Sequence, residues 1–290
     1  MEVPVLSKQS LSEWTPDDSI CEQSGLTETA RVSRGSRTTR VTVTAVIPAM
    51  NEAANLPHVF ARIPSCVTEI VLVDGNSSDD TIKVARALLP DVRVVLQNGR
   101  GKGNALACGF AAAHGDIIVM LDADGSTDPA EIPQFIAALL AGAHFAKGSR
   151  YGTGGGSADI THIRDTGNRA LGGAVNLLFG TKFTDLCYGY NAFWRSCLPH
   201  MHVTCDGFEV ETLINIRVAR AGLRVTEVPS YEQERIHGES NLRAIRDGRR
   251  VLSTILRERL SRRVKPSESW RPAYRELGFD HASTQLAQAS

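Results

Sequence analysis

Short apolar stretches alternate with helical patterns through the first half of the chain. Each stretch is rich in β-branched residues and lacks a polar face, which is typical of a strand buried on both sides. The four stretches are residues 41–47, 69–73, 92–96 and 116–121. Helices are predicted between them, the first capped by Asn51 and the third over residues 104–114. This alternation predicts an α/β fold with a doubly wound, mostly parallel sheet and flanking helices.

The second half of the chain is less regular. Helices are predicted over residues 165–179, 209–221 and 241–263, and strands over 143–147 and 225–228. We therefore predict a single domain at residues 41–240, followed by a basic amphipathic helix at 241–265. Residues 1–40 are polar and lack periodicity, so they are predicted to be a flexible tail, and 266–290 a second tail.

Composition excludes several classes of protein. Lys and Arg total 32 residues, as do Asp and Glu, so no net charge points to nucleic acid. Apolar runs stay well below the ~20 residues that cross a bilayer, and the N-terminus lacks a secretory pattern. The six cysteines have no metal-like spacing, which favours reduced thiols and a cytoplasmic protein.

Polar residues follow three of the predicted strands, where open α/β sheets bind ligands. They lie at residues 48–52, which include Pro48, Asn51 and Glu52, at 74–79, and at 122–124. Asp74 can accept a hydrogen bond from a base N–H, and the amides beyond it, up to Ser77, can meet ribose or phosphate oxygens. Alternatively, Asp74 and Ser78 cap the next helix.

Asp122 and Asp124 flank Ala123 directly after an apolar strand. Alternate residues of an extended segment project to one side, so both carboxylates can reach one site. Two close carboxylates repel unless a cation lies between them, and Mg²⁺ or Mn²⁺ suits oxygen ligands and phosphates. A D-x-D pair alone is a weak signal, but its place after a buried strand strengthens the prediction of a metal site.

A glycine-rich segment at residues 99–103 does not fit a known phosphate loop. Lys102 is followed by Gly103 rather than Ser or Thr, and Leu106 replaces the last glycine of G-x-G-x-x-G. Arg100 and Lys102 either contact a diphosphate or base, or they belong to a surface turn.

Taken in order, these motifs resemble the inverting family-2 glycosyltransferases, and most of all the dolichyl- or polyprenyl-phosphate mannose synthase branch. The resemblance covers about residues 41–241. Its motifs are residues 48–52, 73–77, 122–124, 147–151, 185–193, 207–211 and 235–240. It implies a GT-A (Rossmann-like) fold, a GDP- or UDP-linked sugar donor and an inverting transfer that depends on Mg²⁺ or Mn²⁺.

The resemblance also implies residue roles. Asp74 corresponds to the acid that reads the base, Asp122 to the acid near ribose and metal, and Asp124 to the main metal ligand. Arg150 and Arg164 correspond to basic residues that hold an acceptor phosphate.

Arg235 lies in a later basic motif that closes over the diphosphate or acceptor, and nearby His237 is a candidate for the metal site or a phosphate. The sequence departs from the branch at Ser126, where a glutamine is common, at Asn76 and at Asn241, where a lysine is common.

Two kinds of acceptor remain open from sequence. A lipid phosphate is already an anion and needs no strong base, whereas a hydroxyl needs a carboxylate within ~3 Å to take its proton. The candidate bases are Asp185, Glu209 and Glu211, in that order. Asp185 can instead brace the turn at residues 188–190, and Glu209 and Glu211 are too close in sequence to share a helical face.

The basic helix at residues 241–263 has two interpretations. Its apolar side chains are Leu242, Ile245, Leu252, Ile255, Leu256 and Leu260, and arginines dominate the remainder. It either lies on an anionic membrane surface or packs on the domain with a solvated basic edge; Asp247 and Glu258 favour packing slightly. No pattern indicates an oligomeric state.

Two other functional classes compete with a transferase. A sugar-1-phosphate nucleotidyltransferase usually carries a basic glycine-rich loop after the first strand, where residues 48–52 stand here. A catalytically idle sugar-nucleotide sensor would not need the intact Asp122/Asp124 pair.

Overall fold

A computed structural model of the chain describes residues 31–34, 37–240, 242–261 and 275–277. The main sheet has eight strands in the order β10-β7-β9-β6-β3-β4-β5-β12. These are β3 (Val43–Ala49), β4 (Glu69–Asp74), β5 (Arg93–Leu96), β6 (Ile117–Met120), β7 (Phe145–Ser149), β9 (Asn191–Trp194), β10 (Val225–Pro229) and β12 (Arg275–Leu277). All are parallel except β9 and β12, which confirms the predicted mostly parallel α/β sheet.

Two small ladders accompany this sheet. Strands β1 (Arg31–Arg34) and β2 (Arg37–Arg40) form an antiparallel pair. Strands β8 (Gly156–Ser157) and β11 (Tyr231–Glu232) pair in parallel. The segment assigned to a flexible tail therefore contains a strand pair at its C-terminal end, and β12 falls within the predicted second tail; residues 1–30 lie outside the described residues.

Eight α-helices surround the sheet in the described part of the chain. They are α1 (Leu56–Phe60), α2 (Thr81–Leu88), α3 (Gly101–Ala112), α4 (Ile132–Leu140), α5 (His162–Phe179), α6 (Leu198–Met201), α7 (Val210–Arg220) and α8 (Ala244–Leu260).

The buried apolar side chains form three clusters. One face of β3 packs against α1, α2 and α4 through residues such as Ile47, Phe60 and Phe135. The other face packs against α3 and α7 through residues such as Val46 and Leu106. A third cluster joins α5 and α8 to the outside of α7 through Val175, Ile216 and Ile255. This arrangement places α5 and α8 beside the carboxyl ends of the central strands.

Two predicted boundaries differ from the structure. Asn51 does not cap a helix: it has a left-handed φ of 59°, and α1 begins only at Leu56. Residues 101–103 of the glycine-rich segment form the first turn of α3, since the helix begins at Gly101, and Gly99 and Arg100 precede that turn.

Three further expectations concern the final helix, the cysteines and membrane-spanning segments. The final helix is Ala244–Leu260, and the predicted start at Asn241 lies outside the described residues. No disulfide links the five cysteines in the described part of the chain. No helix within that part is long and apolar enough to cross a bilayer.

Candidate active site

A cavity of about 720 Å³ opens at the carboxyl ends of β3, β4 and β6. Its wall includes Pro48 after β3, Gly75 after β4, and Asp122 and Asp124 after β6. The cavity continues between the N-terminal halves of α5 and α8, where its lining is mostly apolar. The lining side chains of that passage include Ile160, Ile163, Leu171, Leu242, Ile245 and Val251.

Asp74 lies at the end of β4 and is 1% exposed. Its Oδ2 accepts a hydrogen bond from the Ser77 amide at 3.0 Å, whereas its Oδ1 is buried with no hydrogen-bond partner among the described residues. Asp74 does not cap α2, because Asp80 precedes that helix and the Thr81 amide donates to Asp79. Buried polar atoms are seldom left unpaired, so this oxygen fits a donor supplied by a ligand.

The loop beyond Asp74 is fixed by Asn51. The Asn51 amide donates to Ser77 Oγ at 2.9 Å, and the Ser78 amide donates to Asn51 Oδ1 at 2.8 Å. Asn51 thus joins the loop that follows β3 to the loop that follows β4.

Lys102 lies between two carboxylates in the wall of the cavity. Its Nζ is 2.7 Å from Asp122 Oδ1 and 3.0 Å from Glu211 Oε1. Burial alone would lower the pKa of Lys102, but the two carboxylates outweigh it and raise that pKa. Gly189 forms the floor of this cluster, since a Cβ there would lie 2.8 Å from Lys102 Nζ.

Arg235 links Asp124 to Glu52. Its Nη2 is 2.9 Å from Asp124 Oδ2, and its Nη1 is 2.9 Å from Glu52 Oε1. Asp124 Oδ1 accepts from the amide and hydroxyl of Ser126 at 2.9 and 2.7 Å. Burial raises the pKa of Glu52, against the lowering by Asn55 and Arg235. Both members of the D-x-D pair are therefore paired with a side-chain cation.

These residues fit a hard divalent cation held jointly with a substrate. Asp122 and Asp124 offer oxygen donors, and both already attract positive charge from Lys102 and Arg235. No group of three or more His, Cys, Asp or Glu side chains in the described residues is arranged to hold a metal. Mg²⁺ is commonly bound by one or two carboxylates plus substrate phosphates, which matches such a partial donor set.

His237 is exposed, and within the described residues it forms no metal-binding group with these carboxylates. Its ring centroid lies 5.7 Å from that of His58, and its carbonyl accepts from Asn55 at 3.1 Å. The structure thus does not place it as a third metal ligand.

Arg150 and Asp185 form a buried ion pair rather than two independent site residues. Arg150 Nε and Nη2 donate to Asp185 at 2.7 and 3.0 Å, and Arg150 Nη1 is 2.8 Å from Glu232 Oε2. Asp185 is fully buried and also accepts from Asn168 of α5 at 2.9 Å. Burial would raise the pKa of Asp185, but Arg150 and Lys147 lower it. This carboxylate supports Arg150 and does not reach the cavity as a base would.

Of the two glutamates near α7, Glu211 faces the cavity and Glu209 does not. Glu209 directly precedes α7, and its Oε1 accepts from the Gly207 amide at 3.4 Å. Glu211 is 3% exposed, and burial raises its pKa, opposed mainly by Lys102. The order of candidate bases from sequence, with Glu211 last, is therefore corrected by the geometry.

Arg164 lies in the first turn of α5 and lines the cavity. Its Nη1 is 2.9 Å from Asp159 Oδ2, a half-exposed pair. Because the pair is open to solvent, it contributes little free energy, and Arg164 can leave Asp159 to bind an anion in the passage.

Sequence reasoning missed two features of the site. Glu232 pairs with Arg150, and Gln97 lines the cavity. Glu232 gave no sequence signal, because it meets Arg150 only through the β8–β11 ladder.

The family profile "Glycosyl transferase family 2" matches residues 44–201. The chain belongs to this family, and the matched residues include the D-x-D pair. Two curated relatives are similar over 69% of the chain. They are the glycosyltransferase AglJ of Haloferax volcanii, 30% identical, and the dolichol-phosphate mannosyltransferase of Pyrococcus furiosus, 31% identical. The alignments span 66% and 59% of those relatives.

Solved structures agree with the GT-A fold. Glucosyl-3-phosphoglycerate synthase from Mycobacterium tuberculosis, in complex with phosphoglyceric acid, aligns with a TM-score of 0.61 at 25% identity. That alignment covers 78% of this chain and 85% of the synthase. The same synthase in complex with Mn²⁺, uridine diphosphate and glucosyl-3-phosphoglycerate aligns with a TM-score of 0.62 at 24% identity.

Proposed function

We propose that this family-2 glycosyltransferase transfers a sugar from a GDP- or UDP-linked donor to a polyprenyl phosphate, with inversion and with Mg²⁺ or Mn²⁺. The observation that carries the proposal is the single cavity that joins the D-x-D pair to an apolar passage between α5 and α8. One end suits a nucleotide and the other suits an isoprenoid chain.

The donor end supplies hydrogen bonds and charge. Asp74 Oδ1 is available to a base N–H. Asp124, with Asp122, would hold the cation, which would neutralise charge on the departing diphosphate. Lys102 keeps Asp122 in place, and Arg235 is close enough to Asp124 to contact the diphosphate beside it.

The acceptor end supplies Arg164, a cation whose ion pair is open to solvent, within a mostly apolar lining. Arg164 can orient an acceptor phosphate by charge-assisted hydrogen bonds, while Arg150, whose partners are buried carboxylates, shapes the wall behind it. The passage side chains Ile160, Leu171 and Val251 exclude water from the isoprenoid units next to the phosphate.

The reaction is a single displacement. An acceptor phosphate oxygen forms a bond to the anomeric carbon as the bond from that carbon to the diphosphate breaks. The nucleoside diphosphate leaves with the bonding electron pair. Because the acceptor is already an anion, no side chain has to remove a proton, which agrees with the burial of Asp185.

Transfer to a hydroxyl is the second candidate, favoured by one observation. Glu211 faces the cavity with a raised pKa, as a proton acceptor would. Its ion pair with Lys102 opposes that role, since it lowers the basicity of the carboxylate.

An acceptor panel tests the proposal. The full chain is incubated with GDP- and UDP-sugars, Mn²⁺ and, in separate reactions, a polyprenyl phosphate, the matching polyprenol, 3-phosphoglycerate and a disaccharide. We expect nucleoside diphosphate release in step with sugar transfer to polyprenyl phosphate alone. Asp124→Asn should abolish it, whereas Asp116→Asn, a surface carboxylate bound to Thr42, should not.

Other outcomes identify the alternatives. Transfer only to a hydroxyl, lost in Glu211→Gln, would replace the acceptor assignment. Release of pyrophosphate would indicate a nucleotidyltransferase, and binding of nucleotide without any transfer would indicate a sensor.

A further inference from the structure

Helix α8 carries its acidic residues and two of its aliphatic residues inward, and its other large apolar residues outward. Asp247 and Glu258 are 6% and 2% exposed. Glu258 pairs with Arg217 and Arg220 of α7 at 2.7 and 3.0 Å. Only Val251 and Ile255 of its large aliphatic side chains pack against the core. The helix therefore packs on the domain, as the sequence slightly favoured, but most of its apolar side chains lie on the face turned away from the domain.

The outward side chains form a continuous stripe. Ile245, Leu252, Leu256 and Leu260 are 80%, 45%, 51% and 87% exposed in the described structure. Their spacing of seven, four and four residues places them on one side of the helix. Arg249 and Arg259 are exposed within the same stripe, and Arg246 and Arg257 flank it. We call the set Ile245, Arg249, Leu252, Leu256, Arg259 and Leu260 the basic–apolar face.

The cavity opens onto this face. Ile245 of α8 and Ile163 of α5 both line the cavity, and their side chains are also mostly exposed to solvent, at 80% and 73%. A molecule lying against the basic–apolar face would therefore meet the mouth of the passage directly.

We propose that the basic–apolar face docks on an anionic lipid bilayer. Leucines on one side of a helix, flanked by arginines with no exposed acid among them, match an interfacial helix that buries its apolar side chains among acidic headgroups. A second copy of the chain fits less well, because a two-fold interface would bring the same arginines against each other. The proposal does not rest on the acceptor: vesicle binding requires neither donor nor transfer.

The test is vesicle flotation of the full chain. Vesicles of neutral phosphatidylcholine are compared with vesicles that also contain phosphatidylglycerol, an anionic lipid whose surface charge attracts basic residues. We expect binding to the anionic vesicles, weakened by high salt, and little binding to the neutral ones.

Two pairs of substitutions probe the face. Arg249→Gln with Arg259→Gln should weaken binding on the order of 30-fold, since each arginine near an anionic surface contributes about 1 kcal/mol, or about fivefold. Leu252→Gln with Leu256→Gln should weaken it at least about tenfold by removing buried apolar area. The control Lys83→Gln with Arg195→Gln removes two exposed charges elsewhere and should leave binding unchanged.

Several results would overturn the proposal. They are absence of flotation with anionic vesicles at low salt, equal binding to both vesicle types, and binding that neither pair of substitutions weakens. A concentration-dependent dimer that the leucine substitutions dissolve, without vesicle binding, would assign the face to a second copy. Sugar transfer to a detergent-dispersed acceptor is measured in parallel, so that failure to dock is distinguished from failure of the proposed activity.

Discussion

At the residue scale, the Asp74 oxygen that has no hydrogen-bond partner among the described residues is the sharpest mark of a ligand. A buried carboxylate oxygen without a donor costs free energy in the unliganded protein, and a base N–H would recover it. Asp74→Asn keeps the size of the side chain but removes its charge. We expect it to weaken nucleoside diphosphate binding by about 1.5–3 kcal/mol, the usual worth of a hydrogen bond to a charged group.

Isothermal titration with GDP and UDP in the presence of Mn²⁺ measures this loss. Asp80→Asn is the matched control, since Asp80 is exposed before α2 and its side chain pairs with Lys83 at 3.5 Å. Unchanged affinity in Asp74→Asn would show that Asp74 serves the loop and not the nucleotide.

Arg235 gives a second residue-scale prediction. Its guanidinium lies where it neutralises Asp124, so a metal ion and Arg235 compete for the same carboxylate. Arg235→Gln should therefore bind Mn²⁺ alone about fivefold more tightly, as loss of one partly exposed ion pair is worth about 1 kcal/mol. Electron paramagnetic resonance titration of free Mn²⁺ reports this without any assay of transfer.

Arg164→Gln is the control for that measurement, because it removes a charge from the same cavity without touching Asp124. Weaker Mn²⁺ binding in Arg235→Gln would show that Arg235 helps to form the metal site instead of competing for it.

At the element scale, the start of α3 depends on a distant segment. The Gly103 amide donates to the Asp206 carbonyl at 2.9 Å, and a Cβ on Gly103 would lie 2.2 Å from the Cys205 carbonyl oxygen. The first turn of α3, and with it Lys102, is thus fitted against the segment that leads into α7. Gly101 and Gly103 allow this close packing between backbones, since a Cβ on either would lie 2.2 Å from a backbone carbonyl oxygen.

Gly103→Ala should destabilise the protein by about 1–3 kcal/mol, because the added methyl group overfills a tight contact. Gly173→Ala in α5 is the matched control: a Cβ there meets nothing within 4 Å, so the substitution should stabilise by up to about 1 kcal/mol. Urea unfolding measures both. Equal effects would mean that helix propensity, and not the contact with Cys205, governs position 103.

The sequence predicted well those elements whose structure depends on residues close together in the chain. Strands β3, β4, β5 and β6 were evident because residues buried on both faces must be apolar, and Asp122 and Asp124 were evident from their place after β6. The start of α3, the left-handed Asn51 and the outward leucines of α8 depend on contacts far along the chain. Periodicity gives the apolar positions of α8 but not which of two possible faces the domain covers, since Val251 and Ile255 compete with Leu252 and Leu256.

At the scale of the whole molecule, one buried ionic network joins the sheet to the acceptor side of the cavity. Arg150 follows β7, Asp185 follows α5, Asn168 lies within α5 and Glu232 lies in β11. Their hydrogen bonds of 2.7–3.0 Å tie the helix that carries Arg164 to the end of the sheet. The position of the passage relative to the D-x-D pair therefore depends on Arg150 keeping its partners.

Asp185→Asn separates this supporting role from a catalytic one. It leaves the Arg150 charge buried with only Glu232 opposite, so we expect a loss of about 3–5 kcal/mol in the free energy of unfolding. A catalytic base would instead lose transfer with little change in stability. Asp159→Asn, which breaks the half-exposed pair with Arg164, should cost less than about 1 kcal/mol and is the control.

The pH dependence of unfolding checks the same contact independently. The folded pKa of Asp185 is lowered, so its contribution is present above the unfolded pKa of about 3.9 and is lost as the pH falls through the folded value. The stability advantage of the wild type over Asp185→Asn should hold from neutral pH down to about 4 and then shrink. An advantage that stays constant through acid pH would mean that shape rather than charge at residue 185 holds the two halves of the cavity together.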